Sequence, residues 1–373
     1  MRFTIKKDVL LKSLSLVAKP VPSKSYIASL IFIKLTLNEN GLNLIGSNET
    51  IAISTTIPYS INEEEIIRNH QEGSILLHGR YLLDIVRKLS NNDVTFELLD
   101  NSIVKINDGR SSFQLNSAQA DEYPEYDFNI EGTSFTVKRV DFINMIEQTS
   151  FAAAIKETVP ILTAINLTAS KEDKTLTAVA LDAARYSKKV IQIQNEVEFS
   201  VNAPAKTLNE IIHMLDEIED LNITVTDKKI IFKFNNTVIT SNLLNGDYPN
   251  VKSLVPSIFN YSLEVNAQEF LSALERVSLL SNEKNTIKLI MTTNEVEILS
   301  TTNEMGSANE KISNFQFNGE RLEILFNSSY VIDAIKALRS NDIVLKFVAE
   351  MKPFVVKNPN DETIVELITP VRA

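Results

Sequence analysis

A strand-like tripeptide leading into an amphipathic helix occurs three times along this chain and constrains the fold more than any other feature. The copies are Phe3-Thr4-Ile5 with Leu10, Leu11, Leu14 and Val17; Phe135-Thr136-Val137 with Phe142, Ile143 and Ile146; and Leu263-Glu264-Val265 with Phe270, Leu271, Leu274 and Val277. Apolar residues at i, i+1 and i+4 fall on one face of a helix. The copies begin 132 and 128 residues apart, whereas solenoid repeats recur every 20 to roughly 50 residues. A period this long is a domain. A second helical face repeats in step: Leu82, Ile85, Val86 and Leu89; Leu208, Ile211, Ile212 and Leu215; Val331, Ala334, Ile335 and Leu338.

Between the helices the apolar residues alternate instead, the signature of half-buried antiparallel strands. Ile31-Phe32-Ile33-Lys34-Leu35-Thr36-Leu37, a polar turn ending in Gly41, and Leu42-Asn43-Leu44-Ile45-Gly46 form one predicted hairpin. Hairpins of the same form are expected at 165–181 and 287–301, and further alternating segments follow each second helix. The expected fold is α+β: three copies of one domain, each with two helices packed on antiparallel sheets, at 1–127, 128–256 and 257–373. Glu122-Tyr123-Pro124 and Asp247-Tyr248-Pro249 mark the ends of the first two copies.

Composition excludes several functions. With no cysteine among 373 residues, disulfides, Cys-ligated zinc and thiol catalysis are all ruled out. The histidines His70, His78 and His213 lack metal-ligand spacing, and His213 reads as mid-helix. No phosphate-binding glycine loop or nucleophile elbow is present, so neither a catalytic residue, a metal nor a cofactor is expected. An antiparallel hydrolase would need a carboxylate pair or metal cluster at matched positions, and the repeats supply none. Acidic runs such as Glu63-Glu64-Glu65 read as solvated element ends. No apolar run spans a bilayer, and the N-terminus lacks a leader-like apolar stretch, which predicts a cytoplasmic protein without membrane contact.

A net charge of −11 argues against gripping nucleic acid. Its distribution matters more than its sum. Lys6, Lys7, Lys12 and Lys19 against Asp8 make the first helix basic, as Arg80, Arg87 and Lys88 against Asp84 do for its partner. In the other copies Lys138, Arg139, Lys206, Lys336 and Arg339 are offset by nearby acids. A basic face weighted to the first copy would fit phosphate contact; on composition alone, an ordinary mixed helix surface is the better reading.

An ordered set of strings carries a resemblance. Asp182-x-x-Arg185, Asp247-Tyr248-Pro249, Leu280-Ser281-Asn282-Glu283-Lys284, Phe326-Asn327-Ser328-Ser329-Tyr330-Val331 and Pro370-Val371-Arg372 run through the whole chain. Together they resemble the bacterial DNA polymerase III β subunits, the sliding clamps. That resemblance implies a non-catalytic processivity factor, a subunit of a polymerase complex and not itself a nucleotidyltransferase. Two chains would join head to tail as a closed ring of six domains around duplex DNA, without sequence preference. The ring would tether the polymerase α subunit, the clamp loader and other proteins carrying a clamp-binding motif. A monomeric, repeat-built interaction scaffold without a DNA role is the alternative.

The resemblance also implies sites. A partner-peptide pocket between the second and third domains would take its floor from Leu162, Leu181, Tyr186, Pro249, Leu254, Leu367, Ile368, Pro370 and Val371, with polar edges from Arg185 and Arg372. The dimer seam would set Phe113 and Leu115 against Leu279 and Leu280, with Lys105 or Arg110 near Glu304 or Glu310. DNA-facing positions would be Lys24 and Lys206, which match basic positions of the family, with Arg80, Lys6, Lys7 and Lys12. The chain departs from the family pattern at Ala183-Ala184, Ser253 and Thr369, which bears on peptide preference more than on the pocket's position.

Overall fold

Each repeat begins with a strand that pairs not with its sequence neighbour but with the strand after the second helix. The computed structural model describes residues 1–371 apart from 101, 157–158, 216–217, 252 and 303–305. The first repeat runs β1 (Arg2–Lys6), α1 (Lys7–Val17), β2 (Phe32–Asn38), β3 (Gly41–Ser47), β4 (Ile51–Ile57), the short β5 (Ser60–Ile61) and β6 (Glu64–Glu65), β7 (Ile67–Gln71), β8 (Gly73–His78), α2 (Gly79–Lys88), β9 (Asp93–Leu99), β10 (Ile103–Asn107) and β11 (Ser112–Asn116). The second runs β12 (Thr133–Lys138), α3 (Arg139–Thr149), β13 (Ala164–Ser170), β14 (Thr175–Leu181), β15 (Arg185–Gln192), β16 (Phe199–Pro204), α4 (Ala205–Ile212), β17 (Asp220–Val225), β18 (Lys229–Phe234) and β19 (Thr237–Asn242). The third runs β20 (Tyr261–Asn266), α5 (Ala267–Ser278), β21 (Thr286–Met291), β22 (Val296–Thr302), β23 (Gly306–Lys311), β24 (Phe315–Asn318), β25 (Leu322–Asn327), α6 (Ser328–Leu338), β26 (Asp342–Phe347), β27 (Phe354–Asn358) and β28 (Asp361–Ile368). The pairs β1·β9, β12·β17 and β20·β26 are antiparallel and equivalent.

Compactness follows a different division from the repeats. One unit comprises Met1–Arg139 with Glu210–Leu243, the other Val140–Asn209 with Leu244–Ala373. The physical reason is sheet continuation. In the first unit, β12-β17-β18-β19 runs on through β4-β3-β2-β8 as one eight-stranded sheet, joined where Ile239 lies opposite Ile53. In the second, β16-β13-β14-β15 runs on through β28-β27-β26-β20-β24 as a nine-stranded sheet, joined where Ser187 lies opposite Glu366. The middle repeat thus gives one of its sheets to each unit. The five-stranded sheet β11-β10-β9-β1-β7 and the four-stranded sheet β23-β22-β21-β25 end in β11 and β23 respectively, and β5 pairs with β6 as a short two-stranded sheet.

The helical periodicity does the packing that it foreshadows. In the first unit Leu10, Leu14 and Val17 of α1 and Leu82 and Val86 of α2 are buried, above Phe3 stacked on Phe96 at 4.9 Å. In the second, Phe270, Leu274 and Val277 of α5 and Val331, Ile335 and Leu338 of α6 share a core with Phe326, Phe347 and Phe354. Removing one such aromatic costs about 3–5 kcal/mol, because the cavity left behind adds to the lost transfer energy.

Expectations about the helix ends are corrected: Lys19 lies past α1, which ends at Val17, and Lys138 belongs to β12. Lys6 belongs to β1 and only precedes α1, its ammonium 3.5 Å from Glu64. α4 ends at Ile212, so His213 lies beyond the helix, and its carbonyl accepts from Lys19 Nζ at 2.7 Å.

Candidate functional site

Alternation along β15 and β28 builds a groove on one face of the nine-stranded sheet. Tyr186 and Leu367 lie opposite each other and are buried with Val179 and Val355 in a small cluster. Tyr248, Val251, Val255 and Phe259 pack on this cluster from the segment that follows β19, as do Leu181 and Val365. A cavity of about 660 Å³ opens beside them. It runs from Tyr186, Pro249, Val251 and Val255 towards Asn166, Thr168, Thr177, Lys188 and Ser200. Burial pushes the Tyr186 hydroxyl up to about 12 and the Tyr248 hydroxyl up as well, so both rings present neutral phenols.

The sites named from sequence divide accordingly. Leu181, Tyr186, Pro249 and Leu367 are brought to the groove. Leu162 sits half-buried in a single 3₁₀ turn, its carbonyl held by the Ala154 amide at 2.9 Å, and Leu254 is exposed on the covering segment. Ile368 faces the other way: one step along a strand reverses the side chain, and Ile368 joins the helix-facing core. Pro370 is buried and Val371 half-buried, its amide donating to Leu325 at 2.8 Å. Arg372, Lys252 and Glu304 lie outside the described residues.

Arg185 is not a loose polar edge. Its Nε donates to Asp182 at 3.0 Å and its Nη1 to Asp333 at 2.9 Å, while the guanidinium lies 5.6 Å from the Phe151 ring and 4.7 Å from the Tyr330 ring. Planar, fivefold-donating Arg suits such a clamp, which ties the β14–β15 turn to α6. Beneath the groove lies Glu366, 1 % exposed. Ser187 Oγ is 2.9 Å from its Oε1 and 3.0 Å from the Gln148 carbonyl, and Oε2 has no partner among the described residues. Burial pushes this carboxyl well above its usual range. Sequence reading missed Glu366 and the covering residues Val251, Val255 and Phe259; strand alternation could have flagged a charged residue between Val365 and Leu367.

The basic positions are unequal. Lys7 Nζ donates to the Leu89 carbonyl at 2.7 Å, just past α2, where a cation opposes the helix dipole. Arg80 is exposed and 4.0 Å from Asp84, Lys12 is exposed on α1, and Lys206 is exposed on α4. Lys24 is exposed on the loop after α1, in the lining of a second cavity with fully exposed Tyr26. At the open sheet edges, Phe113 and Leu115 project from β11, Phe113 38 % exposed. Leu279 is 79 % exposed just past α5, with Leu280 half-buried beside it. Glu310 on β23 is already bound by Arg276 of the same chain, which holds its carboxyl below the usual range. Asp108 pins the β10–β11 turn: its carboxylate accepts from the amides of Ser111, Arg110, Asn91 and Ser90, which hold it far below the carboxylate range.

Three family models match end to end. They are the N-terminal, central and C-terminal domains of the DNA polymerase III beta subunit, at residues 1–127, 136–250 and 252–372. The chain belongs to the DNA polymerase III β-subunit family. The beta sliding clamp of Bacillus subtilis is 36% identical over 376 residues, covering 100% of both chains. That of Staphylococcus epidermidis is 33% identical, covering 100% of this chain and 99% of the relative. The crystal structure of the B. subtilis DNA polymerase sliding clamp matches with a TM-score of 0.95 at 36% identity, over 100% of this chain and 99% of that one. The Streptococcus pneumoniae DNA polymerase III beta chain matches at 0.95 and 30% identity, over 100% of both. This clamp is therefore an α+β protein of three clamp domains, a replicative sliding clamp by family. No helix among its described residues is long and apolar enough to cross a membrane.

Proposed function

We propose that two copies of this chain close head to tail into a ring around duplex DNA and tether the replicative polymerase through the groove on the nine-stranded sheet. One observation carries this reading: the repeats use the same sheet joint twice and leave its two halves open once more. β4 joins β19, and β15 joins β28. The equivalent strands are β23 in the third repeat and β11 in the first, and both are sheet edges. An exposed edge invites pairing with another chain, and a heterologous joint that closes gives a ring. Repeat equivalence sets the register: Phe113 takes the place of Ile239 and Glu366, and Ala308 that of Ile53 and Ser187.

A ring held by topology needs little affinity, which agrees with a net charge of −11. Weak, salt-screened contact with phosphates favours sliding over gripping. Lys24, Arg80, Lys12 and Lys206 are the exposed cations for that role, while Lys6 lies against Glu64 and Lys7 against the Leu89 carbonyl. The chain is then a non-catalytic subunit, and its partners are the polymerase α subunit, the clamp loader and other proteins with an extended apolar motif.

Retention on DNA tests the reading. After loading onto nicked circles at moderate salt, the protein is expected to stay on the circle and to be lost within minutes of linearisation. Equal retention on both forms would replace the clamp with an ordinary binding scaffold.

A further inference from the structure

The groove has a polar half that the apolar-anchor reading leaves unused. Tyr186 and Lys188 are two residues apart on β15 and so share a face. Across the sheet Lys188 lies opposite Val179 on one side and Val365 on the other, and all three line the cavity. Beyond them the floor is hydroxyl-rich, with Thr177, Thr168 and Ser200. Lys189, on the opposite face, is fully engaged, donating to Asp361 and Thr363 at 2.8 Å each. Lys188 makes no such bond among the described residues. Lys188 is a half-buried residue whose ammonium carries three donors, and its strand neighbours across the sheet are two valines. Among the described residues that line the cavity the one acidic side chain is Asp247, which is exposed and forms no ion pair with Lys188.

We propose that Lys188 reads an acidic side chain of the partner, placed two residues along from the apolar side chain that anchors over Tyr186. The inference rests on the groove being the partner-peptide site. An extended peptide rises about 3.3 Å per residue, so positions i and i+2 are about 6.6 Å apart, as Tyr186 and Lys188 are. A peptide lying along β15 therefore sets its second same-side residue over the ammonium. A carboxylate there gains a charge-assisted hydrogen bond in a partly desolvated groove. An apolar or basic residue leaves the ammonium unpaired or repelled. The preferred partner segment is thus apolar–x–acidic, and the hydroxyls of Thr177 and Thr168 supply further polar contacts beyond it.

The test is selection of a randomised, phage-displayed hexapeptide pool on three proteins: wild type, Lys188→Glu and Tyr186→Asp. On wild type the enriched peptides are expected to carry Asp or Glu two positions from an apolar residue. On Lys188→Glu the apolar residue is expected to persist while that position turns to Lys or Arg. A selected peptide, fluorescein-labelled and followed by anisotropy, is expected to lose about fivefold in affinity on Asp→Asn against wild type. Against Lys188→Ala the same change should cost nothing. Identical pools on wild type and Lys188→Glu, with the apolar anchor enriched in both, would overturn the role of Lys188 and leave the groove standing. An apolar anchor equally enriched on Tyr186→Asp, or on no protein, would remove the groove reading and this inference together. Thermal melts of all four proteins establish that each is folded.

Discussion

Replacing Glu366 with Gln isolates the cost of a carboxyl buried under a sheet joint. The group is 1 % exposed, and Oε2 has no partner among the described residues. A hydroxyl has one proton, so Ser187 can satisfy both the Gln148 carbonyl at 3.0 Å and Glu366 at 2.9 Å only if the carboxyl itself is protonated. The folded chain therefore keeps a proton that the unfolded chain gives up near pH 4.5. Above that pH the unfolded state binds fewer protons than the native one, so stability falls as pH rises, by about 1.4 kcal/mol per unit. The fall stops once the pH passes the folded-state value. Gln has the same shape and no proton to lose, so Glu366→Gln is expected to be more stable than wild type at high pH, with the gap closing towards acid. Because the sequence pI is about 5.0, pH 5.5 to 9 is the workable window. For a folding unit of this size, one unit of slope moves Tm by about 3–5 °C. Calorimetry of both proteins across the window reads the gap, and the pH at which it levels off reports the folded-state pKa. A gap that is constant from pH 5.5 to 9 would mean that Glu366 is ionised in the native protein and would refute the reasoning.

Four further outcomes are expected. Leu279→Asp with Leu280→Asp should yield folded monomers by light scattering, since burying two leucines contributes about 1.5–3 kcal/mol each and a buried carboxylate opposes closure; a persistent dimer would place the seam elsewhere. Because the chain has no cysteine, Phe113→Cys with Ala308→Cys creates the only thiols, and a short bismaleimide should join them between chains while Gln114→Cys with Ala308→Cys, on opposite faces, stays uncrosslinked. Arg185→Ala should lower stability by about 3–5 kcal/mol, because Asp182 loses its ion pair in a nearly buried site; a loss of peptide binding at unchanged Tm would instead make Arg185 a direct peptide contact. Lys24→Glu with Lys206→Glu should shorten retention on primed circles at low salt while the ring stays intact on a sizing column, and unchanged retention would exclude these cations from the DNA contact.

The parts of this fold legible in the sequence were those written in local periodicity. Helical faces such as Leu10–Leu14–Val17 repeat at 3.6 residues and need no tertiary knowledge. Asn266 and Asn327 cap α5 and α6 through their side chains, so those starts could be read. Lys6 and His78 precede α1 and α2 without a capping side chain, so the sequence alone does not separate Lys6 from the helix. Nothing local announces that β19 meets β4 or that β28 meets β15, because those partners are about 180 residues apart in sequence. The same holds for the groove. Leu367 and Ile368 look alike in a string of apolar residues, and only the pairing with β15 decides which of them faces outward. Tyr248-Pro249 announced a boundary, yet the covering role of Val251, Val255 and Phe259 depends on what lies beneath.

The sheet joints have a consequence for where such an assembly yields. At β4·β19 and β15·β28 the two strands belong to one polypeptide, so a joint that opens by chance faces its mate at an effective concentration of the order of millimolar and recloses. In the ring proposed above, the mate of β11 and β23 belongs to another molecule, and reclosure there would depend on how many copies the cell holds. Three joints of one design thus differ in persistence without differing in chemistry. Dilution would weaken that third joint alone, so a ring of this design would part first where chain connectivity ends.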